Sequence, residues 1–232
     1  MSAASASGAV ALLAGAIRYA LGVCALVMPG DMALPTPCAD WDLSALLAHL
    51  GASMADLEVA LRTGHLALNV PPPPGLPAGH PPGGLPGLAG DQAGPPGAQA
   101  GPPGGQAGDL VEALRDRAAE LLCAAYGFGG AGPLVAVGGL PMPAGLVACA
   151  GAVEIAVHGW DVATARGADC PIPPVLAGRL LRLSPFLMAG REGLFAYPVE
   201  VAAQASPCDR LVGYLGRDPD RARRRPHQPR AG

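Results

Sequence analysis

Gly145-Leu-Val-Ala-Cys-Ala-Gly-Ala-Val-Glu154-Ile-Ala-Val-His158-Gly-Trp160-Asp161-Val-Ala-Thr-Ala165 is an apolar run broken by one histidine and two carboxylates. It has the length of a helix of about six turns. On a helix Glu154 and His158, four apart, share one face, and Asp161 follows three residues later on the same side. An unpaired buried charge costs about 3 kcal/mol or more, so the three polar groups need partners. Two explanations stand at this point. Glu154 and His158 are a hydrogen-bonded pair on a partly wet face, or they are two ligands of one divalent metal, since zinc accepts both carboxylate and imidazole.

Outward from this run, the composition favours helices. Aromatic residues make up only 4% of the 232, so the core must come from Leu, Val and Ala. Residues 9–28 read as helix 1, with Leu12, Leu13, Ala16, Tyr19, Ala20 and Val23 at three-and-four spacing and Pro29-Gly30 as its stop. Arg18 within that run, and the lack of a basic start, argue for a buried first helix and against a signal peptide or membrane span. Asp42 or Asp40 suits the N-cap of helix 2, residues 42–63, whose stripe is Leu43, Leu46, Leu47, Leu50, Met54, Leu57 and Leu61. His49 lies on the flank of that stripe, free to face a neighbouring helix. Taken alone, it reads as a histidine hydrogen-bonded at a helix interface.

Glycine (34) and proline (27) together exceed a quarter of the chain and concentrate in residues 69–108, which read as a disordered insert because such a segment cannot repay its ordering entropy. Helix 3 follows over 109–126, capped by Asp109, with Leu110, Leu114, Ala118, Leu121 and Leu122 inward and Arg115, Arg117 and Glu120 outward. A short extended segment over 133–143 turns at Gly138-Gly139 and leads into helix 4, residues 144–166, stopped by Gly167. Residues 173–190 read as helix 5, kinked or broken at Pro185, and 207–215 as a last short helix. From Arg217 onward the Arg- and Pro-rich composition reads as solvated. The chain is thus one domain, 1–219, interrupted by the insert, with a disordered basic tail over 220–232.

A net charge of −3 gives no pull toward nucleic acid or an anionic membrane. The six cysteines form no C-x-x-C pair or disulfide pattern, so a reducing cytoplasm is the expected setting. Cys38 reads as structural, having no basic neighbour in sequence. Oligomeric state is not legible.

Two stretches carry a resemblance: Thr36-Pro-Cys38-Ala-Asp-Trp41-Asp-Leu43 with Leu47-Ala-His49-Leu50, and Glu154-Ile-Ala-Val-His158-Gly-Trp160-Asp161. Together they resemble the metal-binding domain of mycothiol-dependent maleylpyruvate isomerases, in the DinB-like (YfiT-like) superfamily. The end, Phe195-Ala-Tyr-Pro-Val199 and Asp209 to Pro219, is similar to one actinobacterial branch lacking the C-terminal domain. The resemblance implies an all-α fold, a four-helix bundle with short C-terminal helices. It implies Zn2+, or another divalent metal, held by His49, Glu154 and His158, with Asp161 as a hydrogen-bond partner of a ligand histidine. It also implies transfer or isomerisation chemistry, in which a mycothiol-like thiol binds the metal and attacks a small electrophile. No length remains for the second domain of the isomerases, so maleylpyruvate isomerisation itself is not expected. The alternative is a non-catalytic metal-binding module that regulates or binds a partner.

Overall fold

The computed structural model describes residues 3–38, 41–66, 106–127, 134–188 and 196–220. Four helices form the bundle: α1 (Ala3–Cys24), α2 (Leu43–Thr63), α3 (Gln106–Gly127) and α4 (Ala144–Ala165). Each packs against two others, in the order α1, α4, α2, α3 and back to α1. Every residue of α4 except Leu146 and Thr164 is buried. A helix apolar all round is a core helix or a membrane span. By length and composition α1, α2 and α4 would each suit a span, but α4 here is enclosed by its neighbours.

Local chemistry sets the helix ends. Asp42 Oδ1 accepts from the Ala45 amide at 2.8 Å, which makes it the N-cap of α2. Gly64, with φ of 70°, closes the same helix. Gly167, with φ of 65°, ends α4 in a 6→1, 5→2 pair of bonds, Ala168 N–H to Ala163 O and Gly167 N–H to Thr164 O. Just before that glycine, Arg166 Nε reaches Asp31 Oδ2 at 2.7 Å and ties the end of α4 to the connector.

The apolar stripe of α2 is buried as its spacing predicts, and so is that of α1 except for Tyr19, which is partly buried. In α3 the stripe is rotated: Ala107, Val111, Leu114, Ala118, Leu121 and Ala125 face inward, whereas Leu110 and Leu122 sit at the margin. The start of α3 also differs. The helix begins at Gln106, so residues 106–108 belong to it and not to the insert, and Asp109 lies in its first turn instead of capping it. The rest of the proposed insert, 69–105, lies outside the described residues, as do the alternative cap Asp40, Phe195 and the tail 221–232.

Helix α1 ends at Cys24, earlier than expected, and a single 3-10 turn, Pro29–Asp31, follows. The extended segment before α4 is a hairpin, β2 (Leu134–Val137) and β3 (Leu140–Pro143), with positive φ at Gly138 and Gly139 as a type I′ turn requires. A two-residue strand, β1 (His65–Leu66), pairs parallel to β2 and was not legible in the sequence. Helix α5 (Pro174–Met188) runs through Pro185 without breaking, and α6 (Pro207–Tyr214) packs on it. Beyond α6 the described residues continue to Asp220, and Arg217 is 7% exposed. The expectation of a solvated stretch from Arg217 therefore fails, because that arginine has buried partners.

Candidate metal centre

Three side chains singled out in the sequence meet where α2 crosses α4. His49 Nε2 lies 3.0 Å from Glu154 Oε1, and His158 Nε2 lies 3.2 Å from the same oxygen. The three donor atoms lie within 4.8 Å of one another. The helices explain the meeting. His49 follows Leu46 and Leu47, both fully buried, so the core stripe fixes its direction toward α4. Glu154 and His158 are one turn apart on α4.

Asp161 occupies the next position on that face. Its Oδ2 is 3.0 Å from His158 Nδ1, and its side chain is fully buried. A carboxylate there holds the proton on Nδ1, and in the neutral ring the lone pair is then on Nε2. That lone pair faces Glu154 Oε1. Two acceptors at 3.2 Å repel unless a proton or a metal cation lies between them. Without an ion, the proton takes that role. Burial opposes charging His158, but Glu154 and Asp161 outweigh it and raise its pKa well above 6.5. Burial likewise opposes ionising Glu154, yet His158 and His49 hold its carboxyl far below the ordinary range.

The donor set fits a metal. Zinc–nitrogen bonds of about 2.0–2.1 Å set the edges of a tetrahedral shell near 3.3 Å, close to the two spacings found. Access is graded: the His49 side chain is 19% exposed, Glu154 9% and His158 6%. Solvent therefore reaches the cluster from the His49 side.

A second group of donors, Cys38, His158 and Asp161, is equally compact. It already contains a cation. Arg217 Nη2 donates to Asp161 Oδ2 at 3.1 Å and lies 3.5 Å from Cys38 Sγ. A guanidinium there leaves the first group as the better metal site, by like-charge repulsion alone.

Cys38 comes from the connector before α2. The Thr36 hydroxyl donates toward the carbonyls of Cys38 and Trp41 and accepts from the Cys38 amide, which fixes the loop. The Cys38 thiol donates to Asp161 Oδ2 at 3.3 Å, and burial, followed by the Asp161 charge, pushes its pKa up to about 11. The basic partners that Cys38 lacks nearby in sequence arrive from distant sequence: His158 and Arg217. The same loop lays Trp41 over the histidines, with ring centroids 4.5 Å from His49 and 6.2 Å from His158. Ser53, one turn after His49, sits 3.4 Å from His49 Nε2. The neighbourhood roles of Trp41, Ser53 and Arg217 were not assigned from sequence. Trp41 alone had a signal, through its place in the Thr-Pro-Cys motif.

Gly159, between His158 and Trp160, lets α1 approach α4. A Cβ there would stand 3.1 Å from Ala20 Cα and from Tyr19 Cε1. The family model of the mycothiol maleylpyruvate isomerase N-terminal domain matches residues 13–163. No curated protein and no solved structure matches the chain.

Proposed function

Because the chain belongs to the mycothiol maleylpyruvate isomerase N-terminal domain family, we propose that His49, Glu154 and His158 hold a divalent metal, with zinc as the first choice. The domain then serves a low-molecular-weight thiol, of the mycothiol type, in S-transfer to a small electrophile or in its isomerisation. The observation that carries the reading is the convergence of two imidazole nitrogens and one carboxylate oxygen on α2 and α4. Three protein ligands leave a fourth position, the arrangement of catalytic zinc sites. A zinc ion held there supplies Lewis acidity, which makes a thiol ligand available as thiolate near neutral pH.

The chain's own residues do the rest. Asp161 orients His158, and Arg217 balances the charge of Asp161, so Glu154 provides the net negative charge facing the ion. Trp41 shields one side of the histidine pair from water, and the partly exposed edge of His49 marks the route for a small molecule. Membership of this family supports a cytoplasmic setting.

Metal analysis of the purified protein tests the metal. About one equivalent of a divalent ion is expected, lost in His49→Ala and in His158→Ala. Wild-type protein that is metal-free and takes up no zinc overturns the reading. The burial of Glu154 and His158 also favours the second reading, a metal-binding module without catalysis. Cobalt-substituted protein separates the two. Its visible spectrum should change on adding a small thiol; an unchanged spectrum at saturating thiol indicates the closed module.

A further inference from the structure

The metal centre has a buried support from outside the matched residues 13–163. Helix α6 ends in a pair of bonds, Arg217 N–H to Val212 O at 2.9 Å and Gly216 N–H to Gly213 O at 3.0 Å. Gly216 has φ of 81°, and a Cβ on it would lie 2.9 Å from the Ala196 carbonyl oxygen. This is a glycine-closed helix end that reverses the chain. The residue after the glycine, usually apolar in such a motif, is Arg217, and it is turned into the core.

Leu211, Val212 and Leu215 are buried and fix α6 in place. Val199 N–H donates to Gly213 O at 2.8 Å, so the preceding strand-like segment holds the same turn. The guanidinium is then gripped at both ends. Nη1 donates to Leu215 O at 2.9 Å, and Nη2 and Nε donate to Asp161 Oδ2 and Oδ1 at 3.1 and 3.4 Å. A planar fork on both carboxylate oxygens restricts rotation of the carboxylate, which a single point charge does not do. Asp161 Oδ2 in turn receives His158 Nδ1 at 3.0 Å.

We infer that Arg217 is a positioning residue for the metal centre: it locks Asp161, and through Asp161 it sets the His158 ring so that Nε2 faces the ion. The inference rests on the metal reading above. It gives the carboxy-terminal segment a task, to latch the site from 56 residues beyond Asp161.

Zinc affinity, measured on the full chain by competition with a chromophoric chelator, tests it as a double-mutant cycle. Partners of ligand histidines typically change metal affinity about 10- to 100-fold, and Arg217→Met is expected near the lower figure. Asp161→Asn should weaken binding at least as much. Arg217→Met added to Asp161→Asn should cause no further loss, because the arginine acts through that carboxylate. A residue that merely supported the fold would give additive losses, and additivity overturns the inference. So does an Arg217→Met protein with wild-type affinity. Should Arg217→Met not fold, Arg217→Lys decides: it keeps the charge and loses the fork, so a several-fold drop in affinity at an unchanged melting temperature supports the inference, and wild-type affinity overturns it. If the wild type binds no zinc, the metal reading itself falls and takes this inference with it. If the wild type binds and the variants match it, only the latch falls.

Discussion

Three donor atoms within 4.8 Å, two of them on acceptors that face each other, require positive charge between them. A proton and a metal ion compete for that position, and pH decides the contest. In the ion-free protein the folded-state pKa of His158 is raised. Its contribution to stability is therefore complete below 6.5 and is lost as pH climbs through the raised value. Glu154 is lowered, so its contribution is complete above 4.5 and is lost as pH falls. Ion-free protein should thus be favoured by these two groups between about 4.5 and 6.5. Metal binding needs the unprotonated imidazole and runs the other way. The rise in melting temperature caused by zinc should be larger at pH 7.5 than at pH 5.5; an equal rise at both would contradict a site built on His158. Cys38 supplies a further residue-level test. With its thiol pushed up to about 11, it should resist alkylation at pH 7.5 while exposed Cys123 reacts, as peptide mass spectrometry would record. Rapid alkylation of Cys38 in folded protein would contradict the burial.

Among the elements, α4 matters most because it carries Glu154 and His158, two of the three proposed ligands, and Asp161 beside them. Its tightest neighbour is α1, which comes close only because residue 159 has no side chain. Gly159→Ala should cost about 1–3 kcal/mol by overpacking against the Ala20 backbone, offset by about 1 kcal/mol of helix propensity, a net loss of up to about 2 kcal/mol in thermal or urea unfolding. An unchanged midpoint would mean that α1 gives way more easily than the backbone contact implies. Asp42→Ala removes the cap of α2 and should cost about 1 kcal/mol by the same measurement. Zinc affinity should survive it in the folded protein, since His49 sits beyond the first turn.

The elements also show what a sequence discloses. The stripe of α2, its cap, the hairpin turn and the ends of α4 are written in local spacing and in Gly64, Gly138, Gly139 and Gly167, so they were legible. The direction of α4 was not, because a helix buried on every side has no wet face to mark its orientation. The meeting of His49, Glu154 and His158 was readable only through two motifs taken together. Arg217 was hidden by its surroundings: an arginine in a Gly-, Pro- and Arg-rich end looks solvated until Gly216 turns it inward. The pairing of β1 with β2 was likewise out of reach, being a long-range parallel contact of two residues.

At the scale of the molecule, the bundle and its carboxy-terminal latch meet at one buried cluster, so metal and fold should be coupled. Zinc at about 100 times its dissociation constant adds about 2.7 kcal/mol to the folded state. For a chain of this size that is a rise of roughly 5–10 °C in melting temperature, reversed by a chelator. No shift at saturating zinc would mean that the ion does not distinguish folded from unfolded chain. The charge arrangement makes a finer statement about where the ion sits. Two compact groups share His158, one with His49 and Glu154, the other with Cys38 and Asp161. Arg217 already fills the second with positive charge.

X-ray absorption at the zinc edge of the zinc-loaded protein, free of added thiol, addresses that choice directly. Ligation by His49, Glu154 and His158 predicts only nitrogen and oxygen near 2.0–2.1 Å, with the outer-shell scattering of two imidazoles. A sulfur neighbour at about 2.3 Å would place the ion on Cys38 and contradict the assignment.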